Sequence, residues 1–385
     1  MKNLISKKVI EMQPSGIRAF FDLVLGMKDV VSLGVGEPDF VTPWPMREAG
    51  IFSLEQGFTS YTSNSGLMKL RLTISRYMKN RFKLNYSPEN QILITVGVSE
   101  AFDLVLRAII NPGDKILIPV PCYVSYGPLV ELAGGIPVYI DTKPTGFKLT
   151  PHLVNKYAVK KCKAIVLNYP VNPTGVSYTK KELLALNRAF IENKLLCISD
   201  EVYDSLTYDF KHTVFPTLPG AFENTVYLNG FSKSYAMTGW RVGYACGPKD
   251  IIAAMTKIHQ YTIMCVPIIS QMAACEALEP SGQRSMNDMK REYNRRRHYI
   301  TRELNSLGLK CVPTQGAFYA FSSIKSTGLS SIDFAKQLLK EEKVAVVPGT
   351  AFGKNYDDYV RISYASSMDN LKEAIARIKR FINHA

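Results

Sequence analysis

Residues 229–244 read NGFSKSYAMTGWRVGY and follow an apolar, strand-forming run, Thr225–Leu228. Lys233 therefore stands just beyond the end of a strand, and Arg241 comes eight residues later (241 − 233 = 8), across largely small or polar residues. A lysine held at a dry strand end has its pKa lowered, because burial disfavours the ammonium form. The neutral amine can then attack an aldehyde and form a Schiff base. Ser232 and Arg241 suit a phosphate that would tie such an aldehyde in place. An isolated Ser-Lys pair is a common surface feature, so the weight lies on the whole string.

Working outward, short apolar runs alternate with helical ones. Strands are expected at 92–96 (ILITV), 115–120 (KILIPV), 136–140 (IPVYI), 164–168 (AIVLN), 195–199 (LLCIS), 225–229 (TVYLN) and 241–246 (RVGYAC). Helical runs such as 99–110 and 180–194 lie between most of them. That alternation predicts an α/β fold around a mostly parallel, seven-stranded sheet covered on both faces. Ligands of such sheets bind beyond the carboxyl ends of the strands. Further on come two helices from about 248, a long amphipathic helix over roughly 285–306, then LKCV, GAFYAF, VAVVP and YVRISYA as strands. These predict a smaller α+β domain.

Candidate site residues fall at the strand ends. Gly97-Val98-Ser99 lies where a strand passes into a helix, and free N–H groups there favour a phosphate; Ser99 is equally suited to be the N-cap. Tyr123 follows a strand and could stack on a flat ring or simply pack in the core. Asn172, in NYPVNPTG, reads as a turn residue. Asp200 ends an apolar strand, where a buried carboxylate needs a cationic partner, and Tyr203 follows three residues on. Gly36, in VVSLGVGEPDF, marks a sharp turn; Asp39 stands where a third dinucleotide-loop glycine would be. Arg361 lies inside an otherwise apolar strand and needs an anion, either a ligand carboxylate or an internal Asp or Glu. Tyr61, in YTSNSG, is locally an ordinary loop aromatic.

Composition excludes several classes. The 385-residue chain is long enough for two domains. No apolar run is long enough to cross a bilayer, and the N-terminal residues lack the apolar segment of a secretory signal. Seven cysteines without a CxxC pair predict reduced thiols and a cytoplasmic location. The net charge of +14 is read as a lysine-rich solvated surface rather than a nucleic-acid footprint, since no RNA- or DNA-binding motif accompanies it. GTAFGKN (349–355) is one residue short of a phosphate loop, and Asn355 stands where Ser or Thr is needed.

The motifs GVGEPDF, YTSNSG, TVGVSEA, NPTG, SDEVY, GFSKSYAMTGWRVGY and VRISYA occur together and in order from about residue 8 to 380. In this the chain resembles the class I aminotransferases of fold type I, in the branch acting on aspartate, aromatic amino acids or N-acetyl-diaminopimelate. The resemblance implies pyridoxal 5'-phosphate bound covalently by Lys233, with a phosphate cup of Gly97, Val98, Ser99, Ser232 and Arg241. It implies Tyr123 on the ring face, Asp200 on the ring nitrogen, and Asn172 and Tyr203 on the ring oxygen. It further implies Gly36, Asn172 and Arg361 at the substrate carboxylate, and a homodimer in which Tyr61 reaches the neighbouring subunit's phosphate. The expected organisation is an arm and part of a small domain in 1–42, a large cofactor-binding domain in 43–282 and a small domain in 283–385. Some relatives use a partner-subunit arginine for a distal carboxylate; the corresponding IHQYTIMC (258–265) has none, which leaves Arg18, Gln260 or Tyr261. The arm near Ile17 is expected to close over substrate. The rival expectations are a lyase or decarboxylase on the same scaffold and a non-catalytic regulator.

Overall fold

The computed structural model describes residues 4–12 and 27–384. Ile17, in the arm expected to close over substrate, and Arg18 lie outside the described residues. Twelve strands are present among the described residues: β1 (Val31–Ser32), β2 (Ile92–Thr95), β3 (Lys115–Val120), β4 (Ile136–Asp141), β5 (Cys162–Asn168), β6 (Leu196–Asp200), β7 (Thr225–Gly230), β8 (Gly243–Cys246), β9 (Tyr319–Ser323), β10 (Val344–Ala345), β11 (Val347–Pro348) and β12 (Tyr359–Ser363).

Seven of them form one sheet in the order β2-β8-β7-β6-β5-β3-β4. All neighbours run parallel except β8, which is antiparallel to both β7 and β2. The exception follows from the connection: a parallel return needs a crossover of a dozen or more residues, usually a helix, and residues 231–242 form turns instead. The inner strands read as continuous apolar runs because both faces are buried, while the edge strand β4 leaves Ile136 and Tyr139 exposed. Ile116, Ile118, Ala164, Val166 and Ile198 pack on one side with the helix Gly97–Ile109. Leu117, Ile165, Leu167 and Cys197 pack on the other with the helix Lys180–Glu192. Each of the Val, Leu and Ile side chains among them contributes about 1.5–3 kcal/mol on burial.

The later elements make a three-stranded antiparallel sheet, β11-β12-β9, and a parallel pair in which Val31 faces Val344. The segment after residue 27 thus joins an element 313 residues further along the chain (344 − 31 = 313). Their shared core holds Leu33, Tyr293, Ile300, Leu304, Ile362, Ile375 and Phe381. Four expectations are corrected here. VAVVP is not one strand: it divides at the buried Val346, its first half pairing with β1 and its second with β12. LKCV contributes only an isolated bridge, Cys311 to Ser322. The strand expected at 241–246 begins at Gly243, because Arg241 has φ +51°, a left-handed conformation no strand accommodates. The long helix starts at Pro280, where proline suits the first turn.

Candidate active site

The carboxyl ends of β2, β3, β5, β6 and β7 open on one cavity of about 480 Å³. Its lining includes Gly36, Val98, Ser99, Tyr123, Asn172, Asp200, Tyr203, Ser232, Lys233, Arg241 and Arg361. Of the residues expected from sequence, Gly97 lies just beneath this wall and Tyr61 stands outside it, 82% exposed.

Lys233 lies in the turn that follows β7, half-buried, its Nζ donating to the Gly36 carbonyl at 2.6 Å. Burial lowers its pKa to about 8; Arg361 and Arg241 add to the fall, while Glu37 and Asp200 oppose it. Asp200 ends β6, buried. Tyr126 donates to its Oδ2 at 2.6 Å and the Val202 N–H to its Oδ1 at 3.2 Å. Both donors are neutral, so burial pushes its carboxyl up to about 6 against their pull.

Arg361, on β12, is 2% exposed and its pKa is lowered by burial. Its Nη1 donates to Asn172 Oδ1 at 3.0 Å and its Nη2 to the Gly34 carbonyl at 2.6 Å. Its Nε is buried without a partner, and the ring centroids of Tyr319 and Phe352 lie 4.5 Å and 5.0 Å from the guanidinium carbon. These partners carry no negative charge. The internal carboxylate pair considered from sequence is therefore not what holds this guanidinium.

The helix Gly97–Ile109 begins with φ +73° at Gly97, and Val96 is its N-cap with no side-chain cap bond. Ser99 sits within the first turn, so the N-cap alternative for Ser99 does not hold. Glu100 reaches back to the Val96 N–H at 2.5 Å. A Cβ on Gly97 would stand 2.7 Å from Arg241 Nη2, so the guanidinium lies directly against the helix start. The left-handed Arg241 backbone, costing about 1–3 kcal/mol, aims the side chain there. Gly243 permits the approach, since a Cβ there would lie 2.7 Å from the Gly97 carbonyl carbon. Gly243→Ala is expected to destabilise the fold by about 1–3 kcal/mol and to weaken anion binding at this helix; melting curves and cofactor titration check it.

Several lining residues carried no sequence signal. Tyr126 opens the short helix Tyr126–Leu132 and reads as a core aromatic until its hydroxyl is seen on Asp200. Asn168 ends β5, donating to the Asp200 carbonyl at 3.0 Å and accepting from the Asn172 N–H at 3.1 Å. Tyr319 faces Tyr203 hydroxyl to hydroxyl at 2.8 Å. Alternation in a strand gives such residues a face, not a partner.

An amine of lowered pKa, a buried carboxylate with only neutral partners, a guanidinium with an orphaned Nε and a helix start beside a second guanidinium together suit an enzyme handling amino acids through a phosphorylated pyridine aldehyde. The sequence model of the family described as "Aminotransferase class I and II" matches residues 28–378. The putative aminotransferase YugH of Bacillus subtilis (strain 168) is 51% identical over 384 residues, covering 100% of this chain and 99% of that protein. The aspartate aminotransferase of Pyrococcus abyssi is 43% identical over 381 residues, covering 98% of each. A crystal structure titled Pyrococcus protein-A1 superimposes with a TM-score of 0.95 at 42% identity, covering 98% of each chain. The chain belongs to the class I and II aminotransferases and shares their fold-type I architecture and their dependence on pyridoxal 5'-phosphate. The residues present fit that cofactor: Asp200 has only neutral hydrogen-bond partners where its burial calls for a cation, and the helix start at Gly97 lies against the Arg241 guanidinium, a pairing that suits a phosphate.

Proposed function

We propose that the protein moves an amino group between an L-amino acid of the aspartate, aromatic or diaminopimelate type and a 2-oxo acid, in two half-reactions of ping-pong order. The observation that carries this is the meeting, in one cavity, of an amine of lowered pKa with a buried arginine that has no acidic partner. When bound, pyridoxal 5'-phosphate supplies an aldehyde carbon and an electron-withdrawing ring. Lys233 would anchor it. Gly97, Val98, Ser99, Ser232 and Arg241 would hold the phosphate, Tyr123 the ring face, Asp200 the ring nitrogen, and Asn172 with Tyr203 the ring oxygen. Arg361 grips the α-carboxylate of the amino acid, with Asn172 and the Gly36 backbone beside it. Held in that orientation, the substrate presents its α-proton to Lys233 Nζ. The Lys233 amine, freed when the substrate nitrogen replaces it at the aldehyde carbon, would take this proton as general base and pass it to that carbon, and in the second half-reaction would carry one back to the α-carbon of the second 2-oxo acid as general acid.

Keto-acid-dependent turnover with a panel of amino donors tests the assignment. Release of ammonia or carbon dioxide in place of the oxo-acid product would reject it. The panel also settles how a distal group is read, for which Gln260 and the 84% exposed Tyr261 are candidates.

Asp200 yields a pH prediction. Its folded pKa lies above the unfolded value, so the native state binds more protons between the usual carboxylate range and about 6. Stability of the cofactor-free protein therefore falls as pH rises through that window. Cofactor-free Asp200→Asn is expected to melt above cofactor-free wild type at pH 7 but not at pH 4, and to gain less from added cofactor. A melting series in pH checks the crossing.

A homodimer belongs to the same proposal. Ile51, Phe52, Leu54, Tyr61, Leu72 and Tyr261 are all at least 48% exposed. The Tyr61 loop is tied to residues 261–264 by Asn64 Nδ2 on the Met264 carbonyl at 2.8 Å. An apolar surface of this kind suits a twofold contact. Sedimentation is expected to give the mass of two chains, and Tyr61→Phe to weaken cofactor binding. We also assign the chain to a cytoplasm, supported by seven free cysteines, and among the described residues no helix is long and apolar enough to cross a membrane. The domain limits proposed are 1–42, 43–282 and 283–385, supported by the core that Leu33 shares with Tyr293 and Ile375.

A further inference from the structure

Three of the groups assigned above converge on one side chain that has no role so far. Tyr319 is 1% exposed and lines the cavity. Its hydroxyl lies 2.8 Å from the Tyr203 hydroxyl. The same hydroxyl abuts Gly36, where any Cβ would collide with it, and the Gly36 carbonyl in turn accepts from Lys233 Nζ. The Tyr319 ring lies against the Arg361 guanidinium, 4.5 Å from centroid to guanidinium carbon.

The sheet register explains the last contact. Arg361 pairs with Phe321 across β12 and β9, and Ser363 pairs with Tyr319. Tyr319 is thus the diagonal neighbour of Arg361 on the same face, within reach of two long side chains. The π face offers negative potential to a guanidinium that has only neutral hydrogen-bond partners. The hydroxyl pair has a direction as well. A phenol donates one proton, so if Tyr203 donates to the cofactor, its oxygen is left to accept from Tyr319. Donation into Tyr203 makes Tyr203 the stronger donor in turn.

We propose that Tyr319 is a positioning residue that couples cofactor recognition to carboxylate recognition: its hydroxyl commits Tyr203 as a donor to the cofactor, and its ring face holds Arg361 for the substrate carboxylate. The inference rests on the roles proposed above for Tyr203 and Arg361.

Two substitutions separate the two contacts. Tyr319→Phe removes the hydroxyl and keeps the ring. Apoenzyme titrated with pyridoxal 5'-phosphate should bind it about three- to tenfold more weakly. The pH midpoint of the bound cofactor's absorbance should rise by about half a unit, because a weaker donor stabilises the anionic ring oxygen less. The KM for the amino donor should stay within about twofold, since the π contact survives. Tyr319→Leu removes the ring as well and should raise that KM a further tenfold or so. If this variant fails to show a cooperative melt, Tyr319→Met, whose longer unbranched chain adapts better to the space of the lost ring, replaces it. An unchanged absorbance midpoint and cofactor affinity in Tyr319→Phe would overturn the proposal. So would an equal KM in the Phe and Leu (or Met) variants. Tyr203→Phe and Arg361→Lys measured alongside separate the levels: if they move cofactor affinity and KM while the Tyr319 variants do not, the coupling alone is wrong. If they too move nothing, the roles beneath it are wrong and the proposal falls with them.

Discussion

Lys233→Ala is expected to abolish multiple-turnover transamination, a fall of about 10²- to 10⁴-fold for the proton transfer, to which loss of the covalent anchor adds. The amine has two tasks, anchoring the cofactor and carrying the α-proton, and alanine performs neither. Nothing else described in the cavity substitutes for it. Arg241 and Arg361 are cations too strong to act as bases, Asp200 is engaged by Tyr126 and the Val202 N–H, and Glu37, on the exposed side of the cavity, accepts from the Thr238 hydroxyl. The loss should not come from unfolding. Lys233 is a base whose folded pKa, about 8, lies below its unfolded value, so burying it costs stability that is recovered only as pH rises above about 8. Removing it spares the cofactor-free fold that cost at neutral pH, and the melting temperature should hold or rise. Borohydride treatment with pyridoxal 5'-phosphate, followed by peptide mapping, should trap an adduct on residue 233 in wild type and none there in the variant. Retained turnover, or an adduct on another lysine in wild type, would remove the basis of the proposed mechanism.

Arg361→Ala is the second large effect expected, a fall in kcat/KM of about 10²- to 10³-fold for amino acid donors. The guanidinium sits 2% exposed on neutral partners and the faces of two rings. A buried cation without a countercharge is costly, and a substrate carboxylate supplies one. A structural role would lower stability and affect all substrates alike. The carboxylate role affects only donors that carry the carboxylate. The discriminating measurement is therefore the ratio of activities on an amino acid and on the amine lacking its carboxyl group: wild type should favour the acid strongly, and Arg361→Ala should nearly lose that preference. Equal losses on both would assign the residue to packing.

Much of this was legible in the chain. Strands buried on both faces appear as unbroken apolar runs, and polar residues at their ends are conspicuous. Asp200 and Arg361 stood out because a charge in apolar surroundings demands a partner. Tyr126 and Tyr319 did not, because an aromatic in an apolar segment satisfies every local rule of burial. Its hydroxyl acquires a task only when a distant segment arrives within hydrogen-bond reach. The division of VAVVP between two sheets has the same origin: both halves are good strand, and their partners come from opposite ends of the chain.

Sequence alone determined the class of fold, the seven strands of the large sheet and the lysine at the end of one of them. These follow from local pattern, since side-chain periodicity and strand length are properties of neighbouring residues. Only the tertiary structure decided that the lysine is an amine of lowered pKa, that the arginine has no acid beside it and that one tyrosine touches both halves of the site. Burial and pairing belong to the space between segments, and no stretch of chain carries them by itself.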